Sequence, residues 1–441
     1  MRQSPAASSN RGGGGFEARG CVSRALFWPF CRRRITLRIA PANNLLGFDA
    51  KLTGAAEFAA FFANPAATGR NTLGKDMIGR LYESTAPLPQ MRSLADYSPT
   101  ELEELFAAWG VPILHAKRLL RQYYDSAAEL DLASPARRDR ALPKALQKRI
   151  AEELPLFTTT LAECTQADDG TTKLLVRCPD GALVESVLMP EFRLQRAAGC
   201  LSTQVGCAMA CDFCATGQQG FSRNLSAGEM VEQFLHLKRL SATHKLQLRT
   251  LVLMGMGEPL LNLENVAKAI RMIAGEQGGQ IGWRHTTLST VGLTPQLRQF
   301  VNMRLNVQLA LSLHAPNDDL RGTIIPMARR YPMAELLALA EEHQRNTGRI
   351  TIIQYCLMEG VNDSDECAQA LAALLGERRM HVNLLTYNNT GRSYRASSPE
   401  RVKGFLTILR DQHLVAHARR SRGDDIAAAC GQLTSARTSP G

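Results

Sequence analysis

The 441-residue sequence predicts an α/β fold, a partial (β/α)6 barrel preceded by a small N-terminal helical accessory domain. Three observations predict it. Six apolar, strand-like runs at residues 200–205, 250–254, 286–289, 307–311, 350–356 and 381–385 alternate with helical stretches at 227–238, 263–273, 295–301, 333–344, 365–375 and 399–409. Serial βα units of this kind build a parallel sheet that curls towards closure. Polar residues also recur where these runs end, as Ser289 with Thr290, Ser312 with His314, and Tyr387 with Asn388. Barrel sites gather at those C-terminal strand ends.

Taken in order, residues 1–90 read as an atypical extension without a catalytic part. A run of four glycines begins at Gly12, and up to Asn44 the segment has eight arginines against one acidic residue, Glu17. Disorder, an organellar transit peptide, or an upstream start with the working protein beginning at Met77 or Met91 would each explain this bias. Residues 91–160 are expected to form the helical domain. Ser98 with Glu101 is a capping box, followed by Leu102, Leu105, Phe106 and Trp109 at helical spacing. A second helix is expected over 116–124, with Lys117, Arg118 and Arg121 on a basic face suited to RNA or simply to water. Pro143 opens a third, through Leu146, Ile150 and Leu154. Residues 161–199 read as a short β extension, with strands at 173–177 and 183–189 around Pro179-Asp180-Gly181. The core runs over 200–435. Its first helix starts at a capping box of Ser226 with Glu229, and another helix begins after Asn262.

Composition narrows the class of protein. An apolar content of 45% is ample for a sizeable core, and the net charge of +11 favours a polyanionic partner without requiring one. No apolar run approaches the length of a membrane span. Eleven cysteines, unevenly placed, suit metal binding in a reducing compartment better than a disulfide scaffold. Cys164, Cys178, Cys356 and Cys367 lie among apolar or strand-like residues and are expected to be buried.

The chemistry is concentrated in Cys207-x3-Cys211-x2-Cys214, directly after the first strand. Structural zinc usually takes four ligands, and no nearby Cys or His completes a common spacing. Three close thiolates can instead hold a cubane iron–sulfur cluster, leaving one iron open, although the spacing alone leaves zinc possible. The second strand ends in Met254-Gly255-Met256-Gly257-Glu258-Pro259. Glycines there let the backbone approach a ligand, and Glu258 can receive an ammonium group, but Gly-Glu-Pro is also an ordinary turn. Arg419, Arg420 and Arg422 form a basic run that could steer phosphates or merely face solvent.

The string from Gln204 to Gly217 resembles the radical S-adenosylmethionine superfamily. With Phe221-Ser222-Arg223-Asn224-Leu225, Gly255-Met256-Gly257-Glu258-Pro259, Ser312-Leu313-His314-Ala315 and the stretch from Arg419 to Leu433, it resembles the RlmN family of adenine-C2 methyltransferases. The resemblance covers residues 91–435. It implies a radical S-adenosylmethionine TIM-like partial barrel with a [4Fe–4S] cluster on Cys207, Cys211 and Cys214. It also implies S-adenosylmethionine, two per turnover, at Gly257, Glu258, Ser289, Ser312, Leu313, His314 and Asn388. Adenine carbon 2 is a poor nucleophile, so the family uses a radical route. Cys430 matches the cysteine that carries the methyl group, Cys200 the partner that forms a transient disulfide with it, and Glu185 the acceptor of the C2 proton. Without the family, Cys200 and Cys430 would read as buried thiols. The implied substrates are 23S rRNA at adenine 2503 and tRNAs at adenine 37. The implied setting is a cytoplasmic monomer, off the membrane, with a flavodoxin- or ferredoxin-type electron donor. The alternatives are the related C8-adenine methyltransferases, a radical enzyme with a non-RNA substrate, and a non-catalytic iron–sulfur RNA-binding protein.

Overall fold

The computed structural model describes residues 92–125, 132, 141–275 and 280–434, so the expectations for residues 1–90 lie outside the described residues. Helix α1 (Pro99–Ala108) starts where the capping box places it. Ser98 Oγ accepts from the Glu101 amide, and the Glu101 carboxylate accepts from the Ser98 amide at 2.7 Å. Helices α2 (Leu114–Asp125) and α3 (Lys144–Glu153) turn Leu119, Tyr123, Leu146 and Ile150 inward, as their 3.6-residue spacing dictates.

Strands β1 (Thr160–Gln166), β2 (Thr172–Arg177) and β3 (Leu183–Glu191) run antiparallel. They do not form a separate hairpin. Strand β3 pairs with β4 (Arg196–Cys200), so the extension is continuous with the barrel sheet. From β4 the pairing is parallel through β7 (Gln247–Leu253), β8 (Thr286–Thr290), β9 (Gln308–Ser312), β10 (Ile352–Leu357), β11 (His381–Thr386) and β12 (Val415–Arg419). Together these make one ten-stranded sheet. The crossover helices are α5 (Ala227–Thr243), α6 (Leu263–Ala274), α7 (Thr294–Asn302), α9 (Met333–Thr347), α10 (Asp365–Leu375) and α11 (Pro399–Asp411). This is the expected set of six βα units in a partial barrel.

Several expectations need correction. The first barrel strand is 196–200, not 200–205. Beyond Cys200 the backbone leaves the sheet because its polar groups bond elsewhere: the Ser202 amide donates to Gln233 and the Thr203 amide to Met256 O. Residues Gln204–Gly206 form β5, paired only with β6 (Phe221–Asn224), and the short helix α4 (Ala215–Gln218) lies between them in sequence. Strand β12 escapes sequence reading because it is an exposed edge with His417 and Arg419 among its five residues. Another short helix, α8 (Asp318–Ile324), follows β9. Cys178 and Cys356 are buried, but Cys164 is exposed because β1 is the opposite sheet edge, and Cys367 is half-buried in the first turn of α10. Among the described residues, no helix is long and apolar enough to cross a membrane.

The helical segment is fastened to the barrel through α5. Asp96 accepts from the Gly228 amide at 2.8 Å, at the helix start. Glu232, fully buried, accepts from the Thr158 amide at 3.0 Å and the Thr159 amide at 2.6 Å. Removing this acceptor strands both donors in the interior. Glu232→Ala should therefore lower unfolding stability by about 3 kcal/mol, read from chemical denaturation. A change below about 1 kcal/mol would show that the contacts are dispensable.

Candidate active site

The three clustered cysteines sit on a loop that the backbone forces into a tight turn. Ala210 adopts a left-handed conformation (φ 50°), the Cys214 amide donates to Cys211 O, and the Cys207 amide donates to Gly220 O. A Cβ at Gly217 would lie 2.9 Å from the Cys211 amide nitrogen, so the chain packs against itself at that point. Cys207, Cys211 and Cys214 line one cavity of about 190 Å³ at the C-terminal ends of the parallel strands. Gly257, Glu258, Ser289, Ser312, His314, Asn388 and Cys430 line it too. Leu313 is fully buried behind it, and Glu185 and Cys200 lie outside the lining.

Burial pushes the Cys207 thiol up to about 12, with Cys214 adding repulsion, and Cys211 rises further for the same reasons. Burial alone therefore favours the neutral forms of Cys207 and Cys211. Cationic metal reverses that balance by binding the thiolates directly. Among the described residues, no three His, Cys, Asp or Glu side chains converge on a point suited to one metal ion. The three thiols that line the cavity offer the donor set of a polynuclear iron–sulfur centre, in which each thiolate would bind its own iron.

Opposite the cysteine loop, Gly257 (φ 102°) allows a close turn that no side chain could share, since a Cβ there would meet Gln204 at 2.6 Å. Glu258 is buried and accepts from Thr290 Oγ at 2.6 Å and from the Leu260 and Val291 amides, both at 3.0 Å. A carboxylate offers about four acceptor positions, so one remains for a ligand's ammonium. Burial raises its pKa, opposed by the bond from Thr290. His314 takes a left-handed backbone (φ 59°), and its Nδ1 accepts from the Cys356 amide at 3.0 Å. Burial brings its pKa down to about 3, with Arg321 acting in the same direction. The imidazole is thus neutral, with its proton on Nε2. Helix α6 begins directly after Asn262, as expected, but the Asn262 side chain makes no capping bond; its Nδ2 donates to Thr203 O and Leu225 O, each at 2.8 Å.

Cys430 is exposed and lies on a loop stitched to the cysteine loop. Gly431 O accepts from the Ala215 amide at 2.7 Å, Leu433 O from Thr216 Oγ at 2.7 Å, and Cys430 O from the Asn388 side-chain amide at 3.0 Å. Cys200 is a buried free thiol whose pKa burial pushes up to about 12, with Cys430 a further cause. Of the three basic residues near Cys430, Arg419 and Arg420 are exposed. Arg422 is half-buried and committed to Pro190 O and Glu191, so it is not available for phosphates in this conformation. Sequence reasoning placed β10 but missed that it contributes Gln354 and Cys356 to the lining. The signal was the single amide in an otherwise apolar run, Ile352-Ile353-Gln354-Tyr355-Cys356.

Because Gly257 has no room for a methyl group, Gly257→Ala should displace Glu258 and weaken S-adenosylmethionine binding at least tenfold. Equilibrium dialysis of the folded variant checks this, and unchanged affinity would place the ligand elsewhere.

The chain matches the Radical SAM superfamily over residues 201–371. The probable dual-specificity RNA methyltransferase RlmN 1 of Opitutus terrae is 52% identical over 350 residues, covering 78% of this chain and 97% of that protein. The probable dual-specificity RNA methyltransferase RlmN of Frankia alni is 42% identical, covering 78% of this chain and 83% of its own length. A solved radical SAM methyltransferase from Sphaerobacter thermophilus superposes with a TM-score of 0.74 at 42% identity, covering 79% of this chain and all of that one. With such identity across nearly the whole length of a relative, the chain belongs to the RlmN family of radical S-adenosylmethionine enzymes, which work with a [4Fe–4S] cluster and S-adenosylmethionine.

Proposed function

We propose that the protein methylates carbon 2 of adenine in RNA, at adenine 2503 of 23S rRNA and adenine 37 of tRNAs, through a methyl group carried on Cys430. The observation that carries this reading is that Cys430 shares one cavity with Cys207, Cys211 and Cys214. A methyl-bearing sulfur there is within the space where hydrogen abstraction takes place. The cluster would be held by the three loop thiolates, and S-adenosylmethionine by Gly257, Glu258, Ser289, Ser312, Leu313, His314 and Asn388. Together they supply, when bound, the reductive chemistry that removes a hydrogen atom from a methyl group.

The chain's own residues do the rest. Cys430 as thiolate takes a methyl group from a first S-adenosylmethionine, and a second is used in activating it, so two are consumed per turnover. Once the carbon has joined the adenine, the odd-electron adduct gives up one electron, returning the one spent in forming the radical, and Glu185 takes the C2 proton. Cys200 as thiolate then attacks the Cys430 sulfur. The S–S bond forms, the C–S electron pair stays with the product carbon, and that carbon is protonated. Reopening the disulfide needs two electrons, so an external electron donor of the flavodoxin or ferredoxin type is part of the reading. Exposed Arg419 and Arg420, with the basic face of α2, are assigned to RNA phosphates.

Anaerobic reconstitution with 23S rRNA fragments or tRNA, followed by mass spectrometry of the nucleosides, tests the assignment. The expected product is 2-methyladenosine; 8-methyladenosine or no product would overturn it. Cys430→Ala should reduce methylation by at least a thousandfold. Cys200→Ala should instead accumulate an RNA–protein adduct through Cys430.

A further inference from the structure

One buried ion pair outside the cavity brings in a residue with no role so far, Lys173. Lys173 Nζ is 3.0 Å from Glu185 Oε1, with both side chains nearly inaccessible to solvent. The β2–β3 register pairs Lys173 with Val187 and Leu175 with Glu185, so Lys173 and Glu185 are diagonal neighbours on one face of the sheet. Each also reaches the Cys430 loop. Lys173 Nζ donates to Ala427 O at 3.2 Å, and Glu185 Oε2 accepts from the Thr434 amide at 2.8 Å. Cys430 lies between these two fastening points. Ala427 takes a left-handed conformation (φ 52°), which an alanine holds only when its surroundings impose it.

We propose that Lys173 is a positioning residue for methyl transfer: its one ammonium group holds the Glu185 carboxylate ionised and in place, and tethers the backbone that carries Cys430. The inference rests on the reading of Glu185 as proton acceptor and Cys430 as methyl carrier. A buried carboxylate without a cation would be driven towards its protonated form, in which it cannot accept a proton. Burial does raise the Glu185 pKa, and Lys173 is the main opposing influence, helped by the Thr434 amide. Glu163 on β1 is the other charged group acting on it, and it raises the pKa further. Of the two charged groups acting on Glu185, both on the sheet, only Lys173 favours the ionised form. Loss of Lys173 also frees Ala427 O, so one substitution disturbs the acceptor and the methyl carrier together.

The test compares wild-type protein with Lys173→Met and Lys173→Arg, reconstituted with cluster and assayed on tRNA and 23S rRNA transcripts. The acceptor works only when deprotonated, so methylation falls as pH drops through the Glu185 pKa. Lys173→Met should move that acid limb to higher pH by at least one unit and lower the rate at pH 7 at least tenfold. Lys173→Arg, which keeps the charge, should restore the limb to within half a unit. A merely structural role would lower the rate without moving the limb. An unmoved limb in Lys173→Met, or equal limbs in the two variants, would overturn the proposal. Should Lys173→Met fail to take up its cluster, Lys173→Gln, polar and uncharged, decides: its limb should move to higher pH as expected for Lys173→Met, and no movement would overturn the proposal. If wild-type protein makes no 2-methyladenosine, the functional reading itself has failed; if it does and the variants match it, only the role of Lys173 has.

Discussion

The geometry of the rim depends on the buried side-chain amide of Gln204. Its Oε1 accepts from the Glu258 amide at 2.8 Å, and its Nε2 donates to Asn224 Oδ1 at 2.8 Å. Asn224 passes the constraint on to Leu261 O. One side chain thus joins the start of the cysteine loop, the β6 strand and the turn that holds Glu258. An unpaired amide at this depth would cost several kcal/mol (roughly 2–7), so the three segments are fixed together or not at all. Gly257 follows from this, because the turn that brings Glu258 to Gln204 leaves no room for a Cβ.

Around that amide the site sets low-polarity walls against groups that prefer charge. Burial raises the Cys207 and Cys211 thiols and the carboxyls of Glu258 and Glu185, and lowers His314. These shifts share one cause, the removal of water, and the two carboxyls are held in check by different local partners. Thr290 and two amides serve Glu258, while Lys173 serves Glu185. A binding site of this kind is prepared for cations, which recover the charged forms of the thiols that the empty walls disfavour.

Much of the site was legible in the sequence because it depends on local spacing. The cysteine triplet, the Gly257–Glu258 turn and the polar ends of β8 and β9 follow directly from short motifs on predicted strands. The start of the barrel was not legible. Ser202 and Thr203 look like strand residues, but their hydrogen bonds go to α5 and to the turn after β7, and Gln204 pairs with β6 instead of the barrel, partners that sequence does not reveal. Arg422 reads as a free cation beside Arg419 and Arg420, yet its partners are about 230 residues away, at Pro190 and Glu191. The Lys173–Glu185 clamp was invisible for a similar reason: the two residues are 12 apart in sequence, and their meeting with Ala427 and Thr434 needs the whole barrel.

The Cys430 loop touches β2, β3, the cysteine loop and Asn388, yet its bonds to Lys173 and Glu185 span 254 and 249 residues of chain. Contacts of such sequence separation form late, after the strands between them have paired. They can also release first, because a segment held mainly by a few polar bonds opens at lower free energy than the sheet beneath it. The Cys430 sulfur is therefore carried on a late-docking latch rather than on the barrel itself. Its placement is coupled to completion of the fold, so a partly folded molecule with its cysteine loop formed still lacks an organised Cys430 loop beside it.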